Sequence, residues 1–514
     1  MRSVSIVFPH QLFADHPCLT LQNQGVWLTE DDLFFGDAQY AQCFHQQKLQ
    51  LHLASMAYYG ELLSKRNIDC HYLPYRPNES SLPRLFEALV VQKINVIHTL
   101  DPVDYILKRR LESHAAKNNV QIKWYKTPGF LNTQRQNSLY HGSKNRWFMA
   151  DFYRFQRSRM KILLDGDKPI AGRWSFDNDN RKKIPKKELL NIPVLSYAAE
   201  TPYHRAAIAR IQSDFSHHLG DGRTVIYPAT HKDAQRWLST FFEQRFALFG
   251  PYEDAIVASQ HWLYHSVLTP MLNIGLLTPK QVISQALQYA HTHQLCIASV
   301  EGFVRQIIGW REFMRATYSD MGVSMRKQNH WQHHRMIPDS ICQGNCGIVP
   351  VDNVIKQVLS TGYCHHIERL MILGGFFFLC EFEPNEIYRW FMNMFVDSYD
   401  WVMVPNVYAM SQNADGGQIT TKPYFSGSNY IIKMGNYKKG YWSDIWDALY
   451  WRWIIKHQNE LSKNHRWAMM CQQVSKMNDA KKQTYIQLAE HFLQQLDNQK
   501  NAVYSTSSWG QTAI

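Results

Sequence analysis

The sequence predicts two folded units of different class: an α/β unit with a mostly parallel sheet first, then a larger all-helical unit. Three observations predict this. The chain has 514 residues, more than one hydrophobic core usually supports. Strand-like and helix-like segments alternate through the first 130 residues. From about 200 to 500, strand patterns are rare and helical periodicity dominates.

In order, "SVSIVFP" and "GVWLTE" read as strands. "HQQKLQLHLASMAYYGELLSKRN" has helical spacing, with apolar positions at Leu49, Leu53, Met56 and Leu63. "DCHYLPY" (strand), "SLPRLFEALVVQK" (helix), "NVIHTL" (strand), "VDYILKRRLESHAAKNN" (helix) and "VQIKWYK" (strand) complete the βαβ repetition. No G-x-G-x-x-G follows the first strand, so a dinucleotide fingerprint is absent there. "DNDNRKKIPKKELLNIP" (177–193) is polar, basic and carries two prolines, so it is expected to be a solvated linker. Beyond it, "DAQRWLSTFFEQRFALF", "QVISQALQYAHTH", "VDNVIKQVLS", "PNEIYRWFMNMFVDSY" and "WDALYWRWIIKHQNELSK" each show i, i+3, i+4, i+7 spacing. Pro384 is well placed to start the fourth. The boundaries expected are 1–135, a linker over 136–200, a helical unit over 201–500 and a flexible tail over 501–514.

Composition narrows the class of partner. The net charge of +12 favours an anionic one such as nucleic acid. An aromatic content of 13% supplies core area and faces for stacking on flat rings. Nine dispersed cysteines do not make a disulfide framework. The N-terminus lacks a cleavage pattern, and the apolar run at 370–380 is too short to span a bilayer. The expectation is a soluble cytoplasmic protein, monomeric and without a membrane partner.

Several segments carry candidate chemistry. "GYCHHIERLM" (362–371) places His365 and His366 at the start of a helix whose core face is Ile367, Leu370 and Gly374. The two imidazoles point about 100° apart, so at least one is close to the interior. Histidine suits proton transfer near neutral pH, although a lone pair of histidines is more often structural. "NADGGQITTKPYFSGSNY" (413–430) crowds glycines, hydroxyls and tyrosines into one loop. "SVEGFVRQIIGWREFMR" (299–315) carries Gln306, Trp310 and Arg311 inside an apolar helix, and "YHSVLTPMLNIGLL" (264–277) offers His265, Ser266 and Thr269. Arginine and hydroxyls suit a diphosphate, and tryptophan suits a flat ring. Zinc is disfavoured, because Cys342 and Cys346 are C-x3-C and the nearby histidines lack a repeated spacing.

Together these segments resemble the photolyase/cryptochrome family. "RQIIGWREF" is similar to the helix that faces flavin and lesion, and "YHSVLTPMLNIGLL" to a phosphate-clasping turn. The stretch from "GYCHHIERLM" to "NADGG", then "TKPYFSGSNYIIKM", resembles the prokaryotic (6-4) photolyase branch, as do "AGRWSFDNDNR" and the N-terminal "HQL". The resemblance runs from about residue 4 to 460. It implies a Rossmann-like antenna-type domain followed by an all-helical FAD-binding catalytic domain. It also implies an enzyme that repairs UV-damaged DNA with light, by electron transfer from reduced FAD to a flipped-out (6-4) photoproduct. His366 would donate the proton, with His365 beside it and Tyr424 and Tyr430 lining the same site. A raised pKa would suit that acid. The flavin contacts implied are His265, Ser266, Leu268, Thr269, Gln306, Arg311, Asp397, Asn406, Met410 and Asp415.

The chain departs from the family in three places. The branch holds an iron–sulfur cluster on cysteines, but Val349–Pro350, Lys438 and Tyr441 stand where cysteines are expected, so no cluster is expected and Trp442 and Trp446 are expected to fill the space. Of the electron-relay aromatics Trp390 is kept, Phe391 replaces a tyrosine, and Cys342 lies near the outer position, so another route through Trp401 or Tyr399 is conceivable. A lumazine or other antenna would need acidic anchors, for which Glu30, Asp31 and Asp37 are approximate equivalents. The alternative readings are a blue-light cryptochrome photoreceptor without repair activity, and a light-independent nucleic-acid binder.

Overall fold

The computed structural model describes residues 2–19, 25–40, 42–144, 146–420 and 423–499; the expected tail over 501–514 lies outside the described residues. β1 (Ser3–Val7), β2 (Val26–Thr29), β3 (Cys70–Leu73), β4 (Val96–Leu100) and β5 (Gln121–Tyr125) form one sheet in the order β3-β2-β1-β4-β5. Every pairing is parallel; Val7 lies opposite Leu28, and Val4 opposite Ile97. β2 and β4 are buried at every position, as a parallel sheet covered on both faces requires. The outer β5 alternates exposed and half-buried positions.

The crossover helices form for the expected reasons. Ser81–Val91 buries Leu82, Leu85, Phe86 and Leu89, one face at helical spacing. Tyr105–Lys117 starts where the Asp104 carboxylate accepts the Leu107 N–H at 2.9 Å. The helix Gln46–Lys65 differs, because its first turn is both polar and buried. That turn docks on segments far along the chain. Gln47 Nε2 donates to the carbonyls of Asp221 (2.6 Å) and Thr224 (2.8 Å), and Lys48 Nζ donates to the Ser398 carbonyl at 2.8 Å and its hydroxyl at 3.0 Å.

The segment 177–193 corrects an expectation. It is not simply solvated. It forms short 3-10 turns over Asp177–Asn180 and Lys186–Asn191, and Ile184 and Ile192 join a small core with Ala255, Val257, Leu263 and Tyr264. Its lysines are largely outward, but Asp177 and Asn180 reach inward.

The remainder is mostly helical. Among the described residues, three helices widen into π-helical turns, at Arg305–Arg311, Glu368–Gly374 and Pro405–Ser411. Pro405 removes a backbone donor inside its helix, which favours the wider turn. Gly374 lets two of these turns touch: a Cβ there would lie 2.4 Å from the Ser411 hydroxyl oxygen and 3.0 Å from the Arg369 carbonyl oxygen. π-turns concentrate at functional sites, and all three face one cavity. Among the described residues, no helix is long and apolar enough to cross a membrane.

Candidate functional site

The cavity lies in the helical half and holds about 1480 Å³ of atom-free space, mouth included. One wall is the turn from His265 to Asn273. The π-turns supply Gln306, Trp310 and Arg311; Arg369 and Leu370; and Asn406 and Met410. His366, Phe391, Asp397 and Trp401 complete the wall. Nine of the ten cofactor contacts expected from sequence therefore converge on one space: His265, Ser266, Leu268, Thr269, Gln306, Arg311, Asp397, Asn406 and Met410.

Asp397 is the hub of the polar wall. Its carboxylate accepts from the Thr269 hydroxyl at 2.5 Å and pairs with Arg369 at 2.9 and 3.2 Å. Its backbone carbonyl takes the Asn273 amide at 2.8 Å. Asn273 in turn accepts from Arg311 at 2.5 Å. Arg311 lies 4.8 Å over the rings of both Phe130 and Trp401, and its Nε is buried without a partner. Burial pushes Arg311 down to about 10, which leaves it cationic at neutral pH. The His265 Nε2 is likewise buried and unpartnered. Flat apolar faces, guanidinium groups, hydroxyls and orphaned donors in one cavity suit a ligand with a planar ring and anionic groups.

The two histidines separate: His365 is the last residue before the helix and His366 begins it. His366 faces the open cavity. His365 lies behind the wall, fully buried and stacked on His265 with centroids 4.6 Å apart at 9°. The Glu368 carboxyl sits 3.5 Å from His365 Nε2, and burial pushes that acid up to about 8. The raised pKa anticipated for His366 is not found. Its surroundings, then Arg369 and Arg305, push it down to about 4. Burial, then His366 and Arg245, push His265 down to about 3. Each is a neutral imidazole at neutral pH.

Other expected residues stand off the wall. Asp415 caps its own loop, accepting the Gly417 N–H at 2.9 Å. Tyr424 and Tyr430, both half-buried, gather near Asp177 and Arg181 of the linker rather than on the wall. Trp390 is one ring behind it, 5.4 Å from Phe391. Of the alternative relay residues, Trp401 lines the cavity, whereas the Tyr399 hydroxyl is hydrogen-bonded to His52 at 2.7 Å.

Sequence reasoning missed Arg369, Glu253 and Tyr363 on the wall. Gln306 Nε2 donates to Glu253 Oε1 at 2.6 Å. Glu253 Oε2 takes the Asn180 amide at 2.7 Å and lies 3.4 Å from Arg305. Arg305 also pairs with Asp177 at 2.9 Å and Glu301 at 3.2 Å. Tyr363 stacks on Trp262 at 5.4 Å. The "ER" after the histidine pair was the available signal for Arg369. Glu253 had none, because its partners lie 53 and 73 residues away.

His333, Glu381 and His457 bring their side-chain ligand atoms within 4.8 Å of one another. Two of the three, Glu381 and His333, are already committed to protein partners. Lys456 and Arg452 approach Glu381 at 2.8 and 2.9 Å, and the Trp453 indole donates to His333 Nε2 at 3.3 Å. An imidazole that accepts at Nε2 carries its proton on Nδ1, so His333 keeps no lone pair for a metal.

Fold and site define the class: an α/β sheet unit joined to a helical unit that encloses a cavity lined by arginines, hydroxyls and aromatic faces. The model of the family described as deoxyribodipyrimidine photo-lyase-related protein matches residues 5–227. A (6-4) photolyase of Agrobacterium fabrum is 29% identical over 469 residues, 88% of this chain and 92% of that one. Two solved structures share the fold. A class III photolyase from Agrobacterium tumefaciens has a TM-score of 0.56 at 14% identity, covering 84% of this chain and 83% of its own. A Synechocystis cryptochrome has a TM-score of 0.58 at 13% identity, covering 96% and 99%. The first part of the chain thus matches the photo-lyase-related family model, and the chain as a whole is similar to a (6-4) photolyase and shares the fold of a photolyase and a cryptochrome.

Proposed function

We propose that the protein is a light-driven DNA repair enzyme of the (6-4) type that holds FAD in the cavity and takes a flipped-out (6-4) photoproduct beside His366. The observation that carries this reading is the convergence of His366 with the Arg369–Asp397–Thr269 network and Arg311 around one space.

The residues present fit FAD. The orphaned Arg311 Nε awaits an acceptor and the orphaned His265 Nε2 a partner, Ser266 supplies a hydroxyl to a diphosphate, and Trp310, Trp401 and Phe391 supply flat faces. When bound, FAD supplies light absorption and the transferable electron. The chain's own residues do the rest. Asp397 fixes Arg369 in a bidentate pair, so the guanidinium stays put when an anion arrives. His366 presents an imidazole nitrogen to the lesion. Its depressed pKa comes partly from Arg369 and Arg305, so phosphate charge near those arginines draws it back up and readies it as an acid. Tyr424 and Tyr430 belong to the approach of the DNA, beside the linker. The same reading divides the chain into an antenna-type unit (1–135), a connection (136–200) and the FAD-holding unit (201–500), and treats it as a cytoplasmic monomer.

Neither of the family's other groups is part of this reading. Glu30 accepts from Arg210 at 2.7 Å, the Tyr72 hydroxyl at 2.5 Å and the Tyr75 N–H at 2.7 Å, so it is not free to anchor a lumazine. Asp37 is paired with Arg110, and Asp31 accepts from the Ser81 hydroxyl at 2.9 Å. Beside Lys438 and Tyr441, where the resemblance expects cysteines, an aromatic column packs: Tyr437, Trp442, Trp446 and Phe376, with successive centroids 6.2, 6.3 and 5.4 Å apart.

The test is a repair assay under blue light, with the reduced protein and an oligonucleotide carrying one (6-4) lesion. The expected result is flavin absorption in the purified protein and light-dependent return of intact thymines. Flavin without repair would make the protein a photoreceptor, and no flavin would leave a nucleic-acid binder.

A further inference from the structure

Gln306 projects from its π-helical turn into the cavity wall, and its amide has only one orientation that its neighbours permit. Burial raises the Glu253 pKa to about 7; above that pH its carboxylate oxygen at 2.6 Å accepts, and so does the Gly302 backbone carbonyl at 3.4 Å. Both must meet the NH2 end, because an amide oxygen facing two acceptors would leave all three unpaired. The oxygen end is left to face the cavity. Glu253 is itself immobilised by donors alone, Asn180 at 2.7 Å and Arg305 at 3.4 Å on its other oxygen. Asn180 comes from the linker and Glu253 from the loop after Pro251, and Arg305 immediately precedes Gln306. Three separate pieces of chain thus fix one side-chain oxygen.

We propose that Glu253 is a positioning residue that locks the Gln306 amide with its oxygen toward the cavity, so that this part of the wall reads an imide N–H on the bound ring. The proposal rests on the flavin-and-base reading above. An imide, an N–H between two carbonyls, is present both in the isoalloxazine ring and in thymine-type bases. A wall that offered an amide NH2 there would oppose donor to donor. Replacing Glu253 by Gln should invert the wall. Arg305 can only donate, so it holds the new amide's oxygen; its NH2 then faces Gln306 and turns the Gln306 oxygen away from the ligand.

The experiment compares wild type, Glu253→Gln and Asn180→Ala in two binding arms, with a melting curve for each variant. One arm titrates apoprotein with FAD and with FAD methylated at the imide nitrogen of the isoalloxazine. The other titrates flavin-loaded protein with a duplex carrying a (6-4) lesion and with the same duplex methylated at the imide nitrogen of the lesion's 5′ base. Wild type is expected to bind the methylated probe about tenfold more weakly in one arm, and that arm identifies which ring Gln306 reads. E253Q is expected to bring the ratio in that arm to within about twofold, because the Gln306 oxygen no longer faces the ligand. Asn180→Ala, which touches neither Gln306 nor the ligand, serves if E253Q does not fold, and is expected to lower the ratio in the same arm. Equal binding of methylated and unmethylated probes by wild type in both arms would overturn the proposal. So would an undiminished ratio in a folded variant. Wild type that binds neither FAD nor the lesion duplex would overturn the flavin reading, and this inference with it.

Discussion

His265 and His366 share one wall but differ in what a proton costs them. His265 is closed in, stacked on His365, and held down to about 3 by burial and by the positive field of Arg245. An unfolded histidine titrates near 6.5. The folded pKa is depressed, so the folded chain binds fewer protons than the unfolded chain below that pH. Stability from a neutral His265 is therefore full above about 6.5 and is lost as pH falls toward 3. Relative to His265→Asn, the wild-type protein is expected to lose at most ~1.4 kcal/mol per pH unit across that window, measured by urea unfolding at several pH values. A difference that does not change with pH would mean that His265 is charged in the folded protein. His366 gives less to stability, because its ring faces the open cavity, and its depressed pKa is better read as a response held in reserve for an anionic ligand.

At the scale of elements, the π-turns shape the cavity. Each re-aims side chains that a regular helix would direct elsewhere, and Gly374 is where two of them meet. Gly374→Ala sets a methyl group against the Ser411 hydroxyl and the Arg369 carbonyl. The expected cost is ~1–3 kcal/mol in urea unfolding, with weakened flavin retention because Arg369 shifts. Unaltered stability and retention would show that the turns have slack. The helix Pro384–Met394 raises a second question. Trp390 packs 5.4 Å from Phe391, which reaches the cavity, and phenylalanine is a poor hole carrier. Phe391→Tyr is expected to speed flavin photoreduction several-fold, read by absorption under steady blue light. An unchanged rate would place the electron route elsewhere, with Trp401 on the wall as the first residue to replace.

Across the whole molecule, what could be read from sequence was what is encoded locally. The sheet followed from strand runs such as "NVIHTL" alternating with helices such as Ser81–Val91, each of which declares its buried face within a dozen residues. The polar start of the helix Gln46–Lys65 was not interpretable that way, because its partners Asp221, Thr224 and Ser398 lie far along the chain. The walls at 265–273 and 305–311 could be anticipated because contiguous donors and aromatics carry them. Glu253 and Asn180 could not, since a carboxylate in "PYEDA" and an amide in a basic linker signal nothing until folding joins them to Gln306. The two tyrosines at 424 and 430 were expected on the wall, and folding sets them beside the linker instead. The basic charge of +12 fits a DNA partner but locates no contact.

The central claim is that the cavity holds FAD and that His366 serves the lesion from its wall. Replacing His366 by Ala tests it most directly, with the flavin spectrum and blue-light repair of a (6-4) oligonucleotide measured on the same sample. The account predicts unchanged flavin bands and repair reduced by about a hundredfold or more, the loss of a positioned general acid. Full repair by the variant, or loss of the flavin bands with the histidine, would contradict it.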